Sequence, residues 1–299
     1  MKQKVALVLS GGGARGIAHI GVIDELQKRG YEISSVAGTS MGSLIGGVYA
    51  AGKLEELKAW TATLDKGKLF LMADFALSRQ GLIKGERLFR KMKDFIPDIL
   101  IEDLDIPYTA VAADLVNKEE VVFREGSLWE AIRASIAIPS VFTPVKSRGR
   151  LLVDGGVMNN IPINRVQRND GDILVAVNVI AGVPVSVPKE TAKETAKETA
   201  EEGAKRHRIH RARIKEFRKH LAGESSNQDD KMGYFSLITR TIDLMTIQMS
   251  DLYMASYSPD ILVNVSSEAC HIYDFHKIDE MVEVGRLAAV EALNLYEKK

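Results

Sequence analysis

Sulfur chemistry is almost missing from this chain. Its one cysteine, Cys270, cannot form an internal disulfide and suits a reducing compartment. Surplus charge is missing too: 40 Lys and Arg balance 40 Asp and Glu. That excludes a dedicated nucleic-acid binder, because phosphate recognition needs a basic excess, although a locally basic face is still allowed. No run of about eighteen apolar residues is free of charge, so no transmembrane helix is expected. The basic start, Met1 to Lys4, leads into an apolar run of only Val5 to Leu9, too short for a secretory h-region, and three glycines follow. A soluble, cytoplasmic protein is expected. What remains is a globular composition: 299 residues, 45% hydrophobic and 27% charged, enough for one large α/β domain or two ordinary ones.

The first half alternates short apolar runs with helical periodicity. Val5–Leu9 stops at Ser10-Gly11-Gly12-Gly13. Ile17, Ile20, Ile23 and Leu26 then recur at helical spacing, up to a basic last turn and Gly30. Ile33–Ala37 is broken at Gly38-Thr39-Ser40, and a helix runs from Met41 to Ala51. Each strand is short, apolar and followed by glycine, which predicts a mostly parallel central sheet with helices on both faces, a three-layer α/β/α fold. Further strands are expected at 108–113, 120–124, 151–153, 173–179 and 261–265, and helices at 54–64, 85–95, 128–135 and 278–296.

The composition changes over 181–233. Residues 191–200 read TAKETAKETA, with no large apolar side chain, so this tract is expected to be a solvated helix or disordered. Lys205–Lys219 carries eight Lys or Arg against one Glu, with His207, His210 and His220 among or beside them. A solvated helix is the plainer reading of that segment. The alternative is a face for anionic headgroups, at about 1 kcal/mol per cation. From Phe235 a cleaner helix begins, with Ile238, Ile242, Met245, Met249 and Leu252 three and four residues apart. Such a stripe is expected to be core, with an acyl pocket wall as the rarer reading. The whole stretch 181–257 reads as an insertion between the last two strands of one domain spanning 1–299.

Two glycine motifs carry the chemistry. Gly11-Gly12-Gly13-Ala14-Arg15-Gly16 matches a dinucleotide fingerprint placed between strand and helix. A dinucleotide fold also needs a carboxylate about twenty positions on, and the second strand ends Val36-Ala37-Gly38-Thr39-Ser40 with none. Backbone N–H groups at such a loop can stabilise either a bound phosphate or a developing oxyanion. A nucleotide- or phosphate-binding regulatory protein is therefore the alternative to an enzyme. The second motif, Gly38-Thr39-Ser40-Met41-Gly42, is G-x-S-x-G between strand and helix, where the serine hydroxyl stands out of the sheet as a nucleophile. In that setting the N–H of Met41, just after the serine, joins the candidate oxyanion donors.

The serine needs a base. His271 and His276 follow the last strand in the usual chain order, but they sit in a polar connection. His19 lies on the first helix, where it packs or faces solvent. None of the six histidines is framed by a strand end and a tight turn. Asp154 is so framed, in Leu151-Leu152-Val153-Asp154-Gly155-Gly156, although a plain turn aspartate would look the same. Asp114, the other strand-end carboxylate, is followed by Leu115-Val116 and reads as structural.

In this order, the glycine loop, the serine elbow and the D-G-G turn resemble the patatin-like phospholipase family in its compact bacterial form. The resemblance covers roughly 4–180 and 258–296. It implies a patatin-like fold with an α/β-hydrolase-related elbow, and a serine acyl-ester hydrolase of phospholipase A, lysophospholipase or esterase type. It also implies a dyad without histidine, with Ser40 as nucleophile and Asp154 as proton acceptor. The resemblance puts Gly11, Gly12, Gly13, Ala14 and Arg15 in the oxyanion loop, and makes Gly16, Gly38, Gly42, Gly155 and Gly156 turn residues. Arg133-Ala134-Ser135-Ile136-Ala137-Ile138-Pro139 resembles a family stretch that packs near the site. No metal or cofactor is implied, and the partner is a lipid or other acyl ester. The repeat and the basic segment 205–219 are not accounted for by the family.

Overall fold

The structure is a computed structural model that describes residues 2–64, 85–139, 141–185 and 234–298, with side chains from Thr241 onward in the last stretch. Met1–Ser186 with Ile238–Lys299 makes up one compact unit of the chain, separate from Val187–Leu237. Everything below concerns the first. The TAKE repeat and the basic segment lie outside the described residues.

Eight strands form one sheet. They are β1 (Lys4–Leu9), β2 (Glu32–Thr39), β3 (Tyr108–Asp114), β4 (Glu119–Phe123), β5 (Val145–Ser147), β6 (Arg150–Asp154), β7 (Ile173–Ala181) and β8 (Ile261–Ser266). Hydrogen-bonded neighbours run β5-β6-β3-β2-β1-β7-β8, with β4 also on β3. The pairs β2–β1, β1–β7, β7–β8 and β2–β3 are parallel; those of β4 and β6 with β3, and of β5 with β6, are antiparallel. β1 and β7 are apolar along nearly their whole length because both faces are covered, one by helices and the other by the Ile161 and Ile163 side chains with Tyr253 and Met254.

The helices are α1 (Ala18–Lys28), α2 (Met41–Ala50), α3 (Leu54–Thr61), α4 (Glu86–Lys93), α5 (Leu128–Ser135), α6 (Tyr234–Ser256) and α7 (Ile278–Tyr296). α1 and α7 pack so closely that a side chain at Gly21 would collide with the Val282 carbonyl, and one at Gly285 with that of Ala18. Ser127 caps α5, its hydroxyl accepting from Glu130 N.

α6 lies in the chain between β7 and its parallel neighbour β8, as the insertion reading expects. Its stripe does not behave as a core face. Met245 and Leu252 are 54% and 63% exposed, while Thr246 and Ser250 turn inward beside Ile247. The inward face is polar for a reason. It meets main-chain and amide groups: Thr246 Oγ1 donates to the Gly156 carbonyl at 3.3 Å, and Ser250 Oγ accepts from Asn160 Nδ2 at 3.2 Å. No helix among the described residues is long and apolar enough to cross a membrane.

One pairing detail positions the site. β2 runs along β3 from Val36↔Tyr108 to Thr39↔Val111. β6 enters antiparallel, from Leu152↔Asp114 to Asp154↔Ala112. β4 occupies the opposite edge over the shared residues, so β2 and β6 lie end to end on one edge of β3. Their C-terminal ends therefore meet, Thr39 and Asp154 facing consecutive residues of β3.

The turn after β2 is tight. A Cβ on Gly42 would strike the carbonyl group of Leu9, and one on Gly38 would strike the backbone of Gly42. Backbone atoms cannot move aside as a side chain can. Gly42→Ala is expected to cost about 1–3 kcal/mol, read as a lowered urea midpoint with an unchanged slope. A midpoint equal to wild type would show that β1 and α2 are not this close.

Candidate active site

Ser40 sits between β2 and α2 with φ 55° and ψ −125°, a conformation that L residues rarely adopt. Such strain costs of order 1–3 kcal/mol and persists only where the surroundings hold it. They do so here. Ser40 N donates to Ser135 Oγ at 2.9 Å, and Ser135 Oγ donates to the Val111 carbonyl at 2.6 Å. The Ser40 carbonyl accepts from Ser43 N and Leu44 N, at 2.9 and 3.2 Å, and from Ser43 Oγ at 2.7 Å. With its backbone fully occupied, Ser40 keeps its hydroxyl for other work.

The carboxyl of Asp154 lies close enough to that hydroxyl for the hydroxyl to lower its pKa. Asp154 N donates to the Ala137 carbonyl at 3.0 Å, and Asp154 Oδ1 accepts from Gly156 N at 2.7 Å. Gly155 must be glycine here, because a Cβ would meet the Val111 carbonyl. Burial pushes the Asp154 carboxyl up to about 6, with the hydrogen bonds from Ser40 and Gly156 pulling the other way. Both side chains are buried, at 4% and 5% exposure. The stretch 133–139 packs here as expected, holding Ser40 through Ser135 and Asp154 through Ala137.

Among the described residues no imidazole hydrogen-bonds the Ser40 hydroxyl. His271 is exposed in the connection after β8, and His276 lines the cavity described below. Asp114 is structural: its carboxylate takes Val116 N at 2.9 Å, Asn117 Nδ2 at 2.7 Å and Leu151 N at 3.2 Å.

The glycine loop lies beside Ser40; a Cβ on Gly11 would come within 3.0 Å of Ser40 Cβ. Its amides are not equivalent. Gly11 N donates to the Asn160 carbonyl and Ala14 N to that of Ile272, both at 3.0 Å. Those two amides are engaged, which narrows the expected donor set. Gly12 and Gly13 precede the first bond of the short 3-10 helix Gly13–Ile17, and Met41 opens α2. Their N–H groups therefore have no intrahelical acceptor, nor any other acceptor among the described residues. The Arg15 side chain braces the loop, donating to the Gly12 carbonyl at 3.2 Å and the Ser267 carbonyl at 3.0 Å. Gly16 is needed because a Cβ would run into Met41.

Four residues escape a reading of the sequence. Asn160 donates to the Gly11 carbonyl at 3.4 Å while its own carbonyl holds Gly11 N. Ile272 holds Ala14 from a loop far along the chain. Thr246 and Ser250 reach in from α6. None has a local motif, since each is brought there by the sheet order.

Ser40, Asp154 and the loop open into a cavity of about 810 Å³. Its lining includes the apolar side chains of Leu57, Trp60, Leu88, Phe89, Met92 and Phe142, and the polar residues Arg15, Asp243, Thr246 and Ser267. Burial raises the Asp243 carboxyl, and the nearby Arg15 guanidinium moderates the rise.

Comparison with known proteins gives a consistent result. The patatin-like phospholipase family model matches residues 7–166. An uncharacterized NTE family protein of Mycobacterium tuberculosis is 33% identical over 332 residues, covering 98% of this chain and 92% of that one. A patatin-like phospholipase domain-containing protein of Caenorhabditis elegans is 38% identical over 173 residues, 56% of this chain and 13% of that protein. Lysophospholipase NTE1 of Cryptococcus neoformans is 31% identical over 185 residues, 59% of this chain and 11% of that protein.

Proposed function

The chain belongs to the patatin-like phospholipase family, and on that premise we propose that it is a serine acyl-ester hydrolase working through a Ser40–Asp154 dyad. Family membership carries lipid-hydrolase activity; the residues and steps that follow are the proposal. The observation behind it is a buried Asp154 carboxyl beside the Ser40 hydroxyl, near enough for the hydroxyl to lower its pKa.

Aspartate is ordinarily too weak a base to take a serine proton at neutral pH, with a reference pKa of about 3.9. Desolvation raises Asp154 to about 6. The group then stays ionised at pH 7 yet is a better acceptor, the compromise a general base needs. Ser40 Oγ attacks the ester carbonyl carbon as its proton passes to Asp154. The N–H groups of Gly12, Gly13 and Met41 hold the oxyanion, each essential donor contributing about 3–4 kcal/mol in comparable sites. Asp154 returns the proton to the leaving alcohol, and an acyl-enzyme forms on Ser40. Water then attacks the acyl carbon, again giving its proton to Asp154, and Ser40 leaves with that proton.

The apolar lining suits a long acyl chain, each methylene contributing about 0.8 kcal/mol on burial. The polar residues Arg15, Asp243, Thr246 and Ser267 line the same cavity and give the alcohol or headgroup a polar surround. A phospholipase A, lysophospholipase or esterase activity follows.

The acid limb of the rate profile tests this reading. A base must be ionised to act, so kcat/KM on a soluble p-nitrophenyl ester should be flat above about pH 7 and fall about tenfold per unit well below pH 6. A profile that stays flat down to about pH 4.5 would rule out a carboxyl raised to about 6 as the base.

A further inference from the structure

His19 is fully buried, yet no step above uses it. It lies on the first turn of α1, and its Nε2 is 2.8 Å from the Ser10 carbonyl oxygen. Its Nδ1 has no partner. A carbonyl oxygen only accepts, so the proton is on Nε2 and the ring is a neutral donor. Burial pulls its pKa down to about 4, which keeps it neutral at physiological pH.

Ser10 is the residue before the three glycines. Most of it is pinned by β7: Ser10 N donates to the Val177 carbonyl at 3.1 Å, and Ser10 Oγ accepts from Val179 N at 3.0 Å. Its carbonyl is held by His19. The other side of the same peptide, Gly11 N, is held by the Asn160 carbonyl at 3.0 Å. Gly11 has no side chain to resist rotation of the Ser10–Gly11 peptide, so these bonds at its two ends fix its orientation. A turned peptide would set the Ser10 carbonyl against that of Asn160 and disturb the path of the chain into Gly12 and Gly13.

We infer that His19 is a positioning residue: its Nε2–H latches the Ser10–Gly11 peptide and so keeps the Gly12 and Gly13 N–H groups available to the oxyanion. The inference rests on the oxyanion role proposed above for those two amides. It assigns this chain a histidine that serves catalysis without touching the nucleophile.

The test compares His19→Gln with His19→Met in the full chain. The two side chains are unbranched and similar in size, and only Gln carries a donor. With a soluble p-nitrophenyl ester, His19→Met should lower kcat by roughly tenfold to hundredfold, less than loss of a direct donor, with KM within about threefold. His19→Gln should recover most of that loss. Equal kcat in two folded variants, both high or both low, would overturn the inference. Should neither variant fold, imidazole ¹⁵N shifts of the unaltered protein decide. The Nε2–H form, with no titration between about pH 5 and 9, supports the latch. The Nδ1–H form, or titration near pH 6.5, overturns it. A wild-type protein that hydrolyses no ester would remove the reading of the site and the latch with it. An active wild type with two equal variants would remove the latch alone.

Discussion

Ser40→Ala lowers the turnover of an acyl ester by roughly 10⁴-fold or more, while substrate still binds and the fold persists. The size follows from what is lost: no other group can form the acyl-enzyme, and only oxyanion stabilisation and binding remain. The fold should survive because the elbow is held through main-chain atoms. Ser40 N still reaches Ser135 Oγ, and the Ser40 carbonyl still receives Ser43 and Leu44. A second consequence is specific to a direct dyad. The Ser40 hydroxyl pulls the Asp154 pKa down, so removing it should move Asp154 further upward. Carboxyl ¹³C shifts followed across pH in the two proteins would show this. An Asp154 titration identical in wild type and Ser40→Ala would mean that the two groups do not share a proton-donating contact.

Asp154→Asn is the second large effect, expected at roughly 10³-fold or more in kcat because the amide cannot accept the serine proton. Here activity and stability should part company. The folded carboxyl has a pKa of about 6 against about 3.9 in the unfolded chain. Between those values the folded state binds more protons, so the contribution of Asp154 to stability falls as pH rises through that window. At pH 7 the ionised group burdens the fold by about 3 kcal/mol, on the order of 1.4 kcal/mol per unit. Asparagine has nearly the same shape and its Oδ1 can still accept from Gly156 N. The variant should therefore be inactive and at least as stable as wild type at pH 7, with the advantage shrinking toward pH 4. Thermal melts at pH 4.5 and pH 7.5 measure it. A variant much less stable at the higher pH would indicate that Asp154 is a structural turn residue, the plainer reading of D-G-G.

Local signals made much of this molecule legible. Helices at 128–135 and 278–296 begin and end where periodicity places them, because the apolar stripes of both, and the Ser127 cap of the first, are local. Most strands lengthen by a residue or two, β4 shifts by one, and β2 gains three because it runs on through Gly38 and Thr39, where a break was expected; the short β5 is missed, its three residues carrying too little pattern. Ser40 was readable because G-x-S-x-G reports a backbone crossing that Gly38 and Gly42 make possible. Asp154 was readable only as a strand end before a turn. That it meets Ser40 depends on β2 and β6 sharing one edge of β3, a pairing with no local signature. The donor set was over-read for the same reason: nothing near Gly11 or Ala14 announces that Asn160 and Ile272 already hold their amides. On α6, hydrophobicity misled. The face turned inward is chosen by hydrogen bonds to Gly156 and Asn160, which leaves Met245 and Leu252 outside.

The central claim is that a carboxylate, with no imidazole between, activates the serine. It is tested most directly by inactivation with a fluorophosphonate, mapping the modified peptide and following the rate across pH. A single adduct on Ser40 is expected, forming at a rate that rises through about pH 6. That rate should collapse in Asp154→Asn and persist when His271 and His276 are both replaced. An adduct on another residue would contradict the account. So would labelling that survives Asp154→Asn but disappears with the two histidines.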